Sequence, residues 1–455
     1  LNICTNFGIL ALKEVKSMAW SSASRPDRLL LTRQFPIGPD RLPEFEPIMQ
    51  AANRIWNSCV WHSREIREKE NRWPNEGELK AKFKFFKVWK ELHSQSAQAV
   101  VEEYFEAVSG YRKHRENGHE EMRPPDFKPK KHLRTVTWKK QGFDVRPDGL
   151  GLKRSRGKDP VSVPLPAGWN VIVLPDGRSV TGTPVEVKVK AIVRRRKVEN
   201  LILHVTFDFG VVPVRPEAGP VAAYDYNAAM LARATSAGVL DLFVGRELLA
   251  QIQDRNKGLA EFQAKLSRLR EGSRRWRRLQ AAKGRILEKL DRRIRPMEHA
   301  LTKALAELDL KEGIATAVLG DLTGLRRSAG TGMKGKKASQ KIHQMAYDRL
   351  GSQQGYKNLM RGIRTIFLPE KYTSSTCYAC GRRDPSSRRH RGHWKCRRCG
   401  FSLQADLNGA GNLLKFRLAE NVVGVPGPVS FHTIRHWRWD KRYNRYVRVS
   451  SRAGA

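Results

Sequence analysis

The sequence predicts a multidomain protein of the α/β class, and three observations support that prediction. Its 455 residues are enough for several domains with a sizeable core. Apolar residues recur with a helical period from residue 46 to residue 111, and they alternate with a period of two within residues 133–210. Beyond residue 219, strand-like and helix-like segments follow one another, which is typical of a further α/β domain.

Positive charge is the strongest compositional signal. Lysine and arginine number 86 against 45 acidic residues, so the formal net charge is +41. Charge of one sign repels itself in a compact fold unless a polyanion lies against it. Because the basic residues are spread along the whole chain, we expect a long charged channel for nucleic acid, whose phosphates supply most of the affinity. A solubility or ribosome-associated role is the alternative that composition leaves open.

Cysteine usage and hydropathy predict a cytoplasmic protein. Four of the six cysteines fall in one short segment, which is typical of a metal site in a reducing compartment. No apolar run approaches the roughly 20 residues of a membrane span. Lys13 and Glu14 interrupt the mildly apolar start, which is unlike a signal peptide. The first Met is Met18, so residues 1–27 are predicted to be a leader, either disordered or an artefact of the start site.

The first half of the chain is predicted to be a β-barrel with a helical insertion. Residues 28–45 and 131–218 form the barrel, because strand-like alternation resumes after the helices. Residues 46–130 form the insertion, which ends at a proline-containing segment that carries Lys128 and Lys130. Aromatics alternate with lysines over residues 82–90, either to grip nucleic acid or as an amphipathic helix that packs its aromatics inward.

A second domain is predicted over residues 219–376 and 401–415. It opens with a strand that ends in Asp225, and residues 247–310 form a basic helical hairpin that is broken at Gly272. The outer face of the hairpin either lines a nucleic-acid channel or is a solvated surface; its arginines are Arg274, Arg275, Arg277 and Arg278. The basic tail, 416–455, either covers a core face or touches RNA.

The most specific local motif is a pair of Cys-x-x-Cys sequences within residues 377–400. Two such pairs close a tetrahedral Zn²⁺ site, and because the protein fills all four positions the zinc is structural. The ligands are Cys377, Cys380, Cys396 and Cys399. The loop between the pairs is either a phosphate-contacting surface or a solvated loop; its arginines include Arg388, Arg389 and Arg391.

Four features in a fixed order extend this motif. They are the strand-end Asp225, a central apolar strand at 314–319, the sequence Tyr-Thr-Ser-Ser-Thr-Cys at 372–377, and Asp406 at a helix start. This arrangement resembles the TnpB nucleases and the type V CRISPR effectors. The resemblance implies a bilobed fold: a RuvC (RNase H-like) domain with an inserted zinc ribbon, and a wedge-like barrel that carries a recognition insertion.

In the family that the chain resembles, an Asp, a Glu and an Asp hold two Mg²⁺ ions about 4 Å apart. The first matches Asp225, although Asn227 stands where the family has Gly, and the third matches Asp406. Where the family has Glu-Asp-Leu, this chain has Gly-Asp-Leu, which makes Gly320 a degenerate position. Asp321 is a possible substitute, but strand alternation directs it to the other side of the sheet.

With two carboxylates left, we expect a single, weak Mg²⁺ site and slow or absent cleavage. This departure resembles the compact type V-M effectors, which silence by binding, and nuclease-dead TnpB-derived repressors are similar. The leading hypothesis is therefore a prokaryotic, nucleoid-associated, RNA-guided DNA-binding effector. Its partners are a guide RNA, either CRISPR RNA or transposon-derived, and double-stranded DNA with a short adjacent motif. On this hypothesis, Gly320→Glu gains cleavage.

Two alternatives stay open. One is an active RNA-guided endonuclease of TnpB type in which Asp321 completes the site. The other is a transposon-associated DNA-binding protein that uses no guide.

Overall fold

The computed structural model describes residues 27–120, 122–194, 197–227, 229–321, 347–370, 372–390, 392–420 and 429–449. Apart from residue 27, the predicted leader lies outside the described residues. The rest of the chain divides into two compact units, an amino-terminal unit (Arg28–Gly210) and a carboxy-terminal unit (Val211–Ala455). Among the described helices, none is long and apolar enough to cross a membrane.

The helices of the amino-terminal unit follow its first strand. The first strand is β1 (Arg28–Pro36), and the helices are α1 (Leu42–Glu70), α2 (Glu76–Phe83) and α3 (Ser94–Glu116). The aromatic–lysine stretch at 82–90 is not one amphipathic helix, because α2 ends at Phe83 and turns follow. Phe83, the last residue of α2, and Trp89, in the turns that follow, are buried, whereas Phe85 is exposed.

The remaining strands of this unit form three sheets. They are β2 (Val136–Lys139), β3 (Phe143–Arg146), β4 (Gly149–Leu152), β5 (Val161–Pro164), β6 (Val171–Val173), β7 (Ser179–Thr181), β8 (Thr183–Arg194) and β9 (Lys197–Val211). Their orders are β1-β9-β8-β2, β3-β4-β5 and β6-β7. The predicted change from helix to β structure is confirmed, and these sheets occupy the region predicted as a barrel.

The carboxy-terminal unit is built on a seven-stranded sheet of order β14-β13-β10-β11-β12-β18-β19. Its elements are β10 (Val221–Tyr226), β11 (Met230–Thr235), β12 (Val239–Val244), α4 (Arg246–Ser267), α5 (Arg274–Lys311), β13 (Thr316–Asp321), α6 (Tyr347–Leu359), β14 (Arg364–Pro369), β15 (Arg388–His390), β16 (His393–Lys395), β17 (Ser402–Leu403), α7 (Ala405–Glu420), β18 (Thr433–Asp440) and β19 (Arg445–Val449). The short strands β15, β16 and β17 form a separate three-stranded sheet.

Alternation along the strands gives the large sheet two apolar faces. Val221, Ala223 and Val318 pack with α7 residues on one face. Tyr224 and Leu319 pack with residues of α5 and α6 on the other. Neighbouring residues of β10 and β13 therefore enter different cores, and this decides where the strand-end carboxylates point.

The segment predicted as a separate basic tail is partly in the sheet. β18 pairs with β12 in parallel, and β19 pairs with β18. The Trp437 ring stacks on Phe243 with centroids 5.2 Å apart, and Trp439 and Tyr446 are buried in the core on the α5 side. The described part of the tail thus covers a core face, because Trp437 and Trp439 lie on the less exposed side of β18 whereas His436 and Arg438 are exposed, as in a half-buried strand.

A buried charge network joins the sheet to α5. The guanidinium of Arg233 is fully buried and makes ion pairs of 2.7 Å with Asp241 and 2.8 Å with Asp309. Arg435 makes a second ion pair with Asp241, at 2.7 Å. Burial alone would raise the pKa of Asp241, but its hydrogen bond from Arg435 and the charge of Arg233 hold that pKa below its usual range. Sequence patterns did not predict this network.

Candidate metal centre and nucleic-acid surfaces

The sheet brings three strand ends together at one edge. β10 and β13 are parallel, with Tyr224 opposite Leu319, so Asp225 comes level with Gly320. β13 and β14 are also parallel, with Gly320 opposite Leu368. Because side chains alternate, Glu370, two residues beyond Leu368, continues the row of Leu368 on the α7 face. Asp225, Gly320 and Glu370 therefore share one face of the sheet.

The sequence interpretation missed Glu370. A Cβ atom built on Gly320 would overlap the Glu370 carboxylate, so this carboxylate occupies the space where a side chain of residue 320 would begin. Glu370 Oε1 is buried and accepts no hydrogen bond within the described part of the chain. The available signal was the acidic residue at the end of a predicted strand, as at Asp225. What was missing was the register that joins β14 to β13.

Asp406 reaches the same face from the first turn of α7. The Gln404 side chain accepts hydrogen bonds from the backbone N–H groups of Asp406 and Leu407, at 2.7 and 2.8 Å. It also donates to Asp406 Oδ2 at 2.8 Å. Gln404 therefore caps the helix and orients the Asp406 carboxylate.

Two further side chains approach the other oxygen of Asp406. Asn227 donates to Oδ1 at 2.8 Å, and Arg388 lies 3.3 Å from the same atom. Asn227, which departs from the family pattern, thus contacts the carboxylate that the pattern identifies. Arg388, predicted as a phosphate contact, is also the cation beside Asp406.

Glycine also makes room for Asp225. A Cβ atom on Gly409, in the second turn of α7, would overlap Asp225 Oδ2. Glycine inside a helix costs about 1 kcal/mol relative to alanine. Its presence here lets the α7 backbone approach the carboxylate closely.

The group of Asp225, Glu370 and Asp406, called the acidic centre below, carries more negative than positive charge among the described residues. Burial raises the pKa of Asp225 well above its usual range, and the charges of Glu370 and then Asp406 raise it further, whereas Arg388 lowers it. Burial, followed by the charge of Asp321, raises the pKa of Glu370 to about 7.

Asp321 occupies a different place from the one a substitute ligand needs. It continues the row of Leu319, which packs in the core on the α5 side, and its side chain is exposed. The strand alternation expected from the sequence agrees with this position.

The donor types of this site suit a hard divalent cation, although within the described residues only the four cysteines already lie close enough together to hold one ion. Mg²⁺ prefers carboxylate oxygens in octahedral geometry, and Asp225, Glu370 and Asp406 offer carboxylates on one face. The buried Glu370 Oε1 has no hydrogen-bond donor among the described residues, and burying it would be costly unless a cation satisfies it. These residues are therefore the ones that would hold the metal ions.

The four predicted zinc ligands lie together in the ribbon. All four sulfur atoms are within 4.8 Å of one another. Cys377 and Cys399 Sγ are 3.7 Å apart, as are Cys380 and Cys396 Sγ. With Zn–S bonds of about 2.3 Å, a tetrahedron has sulfur–sulfur edges of about 3.8 Å, so the cluster fits zinc.

The ribbon is tied directly to α7. Asn408 accepts a hydrogen bond from the Tyr378 N–H and donates to the Thr376 carbonyl, at 3.0 and 2.8 Å. Asn412 donates to the Thr373 carbonyl at 2.8 Å. The loop that carries the first two cysteines therefore helps to position the helix that carries Asp406.

The other predicted nucleic-acid contacts have separate places. The four arginines of α5 are exposed: Arg274, Arg275, Arg277 and Arg278. Lys128 and Lys130 are exposed on a segment that hydrogen bonds hold to α1, from Asn57 to the Lys128 carbonyl and from Asn53 to the Pro129 carbonyl. Arg391 and the side chain of Arg389 lie outside the described residues.

Comparison with known proteins places this site in a family. The family described as "Cas12f1-like, TNB domain" matches residues 347–413, which include Glu370, all four cysteines and Asp406. The chain is 29% identical over 137 residues to the "CRISPR-associated endodeoxyribonuclease Cas12f1" of Sulfoacidibacillus thermotolerans, covering 27% of this chain and 30% of that protein. Residues 347–413 thus resemble the TNB domain of Cas12f1-like proteins, and the sequence relatives support a likeness to the TnpB and type V effector superfamily.

Two further comparisons concern a curated protein and a solved structure. The "Putative RNA-guided DNA endonuclease InsQ" of Escherichia coli (strain K12) is 28% identical over 212 residues, 44% of this chain and 50% of that protein. The alignments thus span half or less of these curated relatives. The solved structure of a Cas12f1–sgRNA–target DNA complex matches 81% of this chain and 82% of that one, at 15% identity and a TM-score of 0.51. This likeness shows that the α/β fold is shared with a compact Cas12 effector.

Proposed function

We propose that the protein is an RNA-guided DNA-binding effector, which holds a guide RNA and pairs it with one strand of a double-stranded target. The observation that carries the proposal is an acidic centre within a chain of net charge +41. Basic surfaces bind phosphate backbones, and carboxylates at converging strand ends are suited to metal ions that act on a phosphate. The name of the InsQ relative supports guidance by RNA, and the name of the Cas12f1 relative supports action on DNA.

In this proposal the carboxy-terminal unit is a RuvC-type (RNase H-like) domain, and residues 377–400 are its zinc ribbon. The α5 arginines, together with Lys128 and Lys130, contact nucleic-acid backbone. Guide pairing reads the target sequence, and protein contacts read a short adjacent motif.

The acidic centre would supply the chemistry. When bound, Mg²⁺ activates water and stabilises the leaving oxygen of a phosphodiester. The chain positions the ligands: Gln404 orients Asp406, and Gly409 lets α7 approach Asp225.

Silencing by binding alone is a second candidate function. The observation that favours it is Gly320, where the resembled family carries its middle glutamate. Both candidates require guided binding, so the first test addresses that shared step.

The test is sequencing of the RNA that copurifies with the protein expressed from its native locus. We expect discrete RNAs, and target DNA that matches such a guide should be bound more tightly than mismatched DNA. Repeat-derived RNAs with varied spacers would indicate a CRISPR effector, and a single RNA from a transposon end would indicate a TnpB-type protein. Duplex binding with no RNA present would contradict the proposal.

The basic surfaces can be tested in the same complex. Replacing the four α5 arginines with alanine should weaken binding of all sequences alike. It should also reduce the slope of log affinity against log salt by up to about 0.9 for each lost phosphate contact. Arg178→Ala, in an exposed turn where Arg178 pairs with Asp176, is the control.

A further inference from the structure

We infer that Glu370, at the end of β14, supplies the third carboxylate of the acidic centre in place of a glutamate at position 320. The position of the ligand has changed, and the centre still has three carboxylates. This inference rests on the proposed function, because a nucleic acid is what such a centre would act on.

The first argument is register. Leu368 lies opposite Gly320 in the parallel pair of β13 and β14. Leu368 packs against the core on the α7 side, together with Val318, so this face is fixed by contacts on both strands. Glu370 continues the Leu368 row beyond the last pair, where the strand end brings its carboxylate back over Gly320.

The second argument is steric. The Oε1, Cδ and Cγ atoms of Glu370 are the three atoms that a Cβ on Gly320 would meet first. A side chain at position 320 would displace the Glu370 side chain from this space, so glycine on β13 is what lets the carboxylate lie over the strand. Gly320, which in the sequence indicated a lost metal ligand, is thus the residue that makes room for Glu370 as the replacing ligand.

The third argument is the state of the carboxylate itself. Glu370 is half-buried, and its Oε1 atom, which is fully buried, has no hydrogen-bond donor among the described residues. The negative charges of Asp225 and Asp321 repel the Glu370 carboxylate. A buried oxygen in such surroundings is stabilised by a cation.

The consequence is a site that can hydrolyse a phosphodiester. The water oxygen forms a bond to phosphorus as the bond from phosphorus to the 3′ oxygen breaks. The water loses a proton to solvent, and the 3′ oxygen gains one. The register also reverses the expectation for Gly320→Glu: this change should lower activity, because the new side chain collides with Glu370.

The test measures metal binding directly, with Mn²⁺ as the probe. Full-length protein, stripped of nucleic acid at high salt, is titrated while electron paramagnetic resonance follows free Mn²⁺. The variants are Glu370→Gln, Asp321→Asn and Glu217→Gln. Glu217 is the matched control, since it is an exposed glutamate that pairs with Arg364 at the opposite end of β14.

We expect Glu370→Gln to weaken Mn²⁺ binding at least tenfold, and Asp321→Asn and Glu217→Gln to change it less than about threefold. Guided cleavage of matched DNA should fall at least about 100-fold in Glu370→Gln only. The pair Gly320→Glu with Glu370→Ala should recover binding that each single change loses, because the carboxylate returns to β13 and the collision disappears.

Normal Mn²⁺ binding by Glu370→Gln, or loss in Asp321→Asn instead, would overturn the inference. So would a gain of cleavage in Gly320→Glu alone. Since the titration needs no nucleic acid, its result is separate from the proposed function. A protein that binds no guide would refute the function even if Glu370 binds Mn²⁺, and guided binding with unchanged Mn²⁺ affinity in Glu370→Gln would refute the inference alone.

Discussion

Tyr224 and Asp225 are neighbours in β10, yet their side chains enter two clusters of opposite character on the two faces of one sheet. On the α5 face, Tyr224 donates to Asp309 within the Arg233 network, where arginines pair with every buried carboxylate. On the α7 face, Asp225 lies near Glu370 and Asp406, and the cation beside these carboxylates is Arg388, 3.3 Å from Asp406.

The comparison separates two uses of buried charge. In the Arg233 network, charges are paired and hydrogen-bonded, which holds the sheet against α5. In the acidic centre, negative charge exceeds positive charge within the described part of the chain, and there the Glu370 Oε1 atom has no hydrogen-bond donor. Such an arrangement lowers stability in the metal-free protein, and a bound cation removes that cost. Burial alone therefore does not identify a functional carboxylate, whereas an unmatched charge does.

The largest effect should come from breaking the compensated cluster. Arg233→Met leaves Asp241 and Asp309 buried without their shared cation, and it should lower the free energy of unfolding by about 3–5 kcal/mol. Denaturant unfolding measures the change. The exposed pair of Arg178 with Asp176 provides the control, and Arg178→Met should cost about 0–1 kcal/mol. A loss below about 1 kcal/mol in Arg233→Met would contradict a structural role.

Zinc removal should affect the acidic centre and spare the Arg233 network. Cys396→Ser opens the zinc site, and the ribbon contacts of Asn408 and Asn412 then no longer fix α7. Mn²⁺ affinity at the carboxylates should fall about 10–100-fold, the range for loss of outer supports of a metal site. Cys59→Ala, a buried cysteine in α1, should keep one zinc per chain and normal Mn²⁺ binding. Unchanged Mn²⁺ affinity in Cys396→Ser would show that the ribbon does not position Asp406.

Removing a charge from the acidic centre should stabilise the metal-free protein, the opposite of Arg233→Met. With the folded-state pKa of Glu370 raised to about 7, the folded protein binds more protons than the unfolded chain at pH 5 to 7. Its unfolding free energy therefore falls as pH rises through 7. Glu370→Gln should raise stability by roughly 1–2 kcal/mol at pH 8 and remove this dependence. Thermal unfolding at several pH values measures both, and a destabilised variant would contradict the account.

The smallest effect should come from Arg388. Arg388→Gln removes the cation that competes at Asp406, so Mn²⁺ affinity should rise by about threefold. The same titration measures the gain, with the exposed Arg382→Gln as control. Weaker Mn²⁺ binding would instead show that Arg388 supports the metal-bound arrangement.

Local patterns predicted much of this molecule. The spacing of cysteines fixed the zinc ligands, Gly272 marked the break between α4 and α5, and Asp225 and Asp406 were found at a strand end and a helix start. Each of these signals lies within a few residues of sequence.

The residues that sequence reasoning missed depend on partners far along the chain. Glu370 acquires its role from the register of β14 against β13, and no local pattern specifies that register. In the sequence, Arg233 is a lone basic residue in an apolar strand. Only the fold shows that it pairs with Asp309 and that Arg435 pairs with its other partner, Asp241. Trp437 was predicted to lie in a basic tail, because only the pairing of β18 with β12 shows that this tryptophan belongs to the sheet.

The most direct test of the central claim is anomalous diffraction from crystals of the full chain soaked in Mn²⁺. The account predicts a peak within roughly 2.0–2.3 Å of a Glu370 carboxylate oxygen, with Asp225 bound to the same ion. A peak held by Asp225 and Asp406 without Glu370, or one held by Asp321, would contradict it.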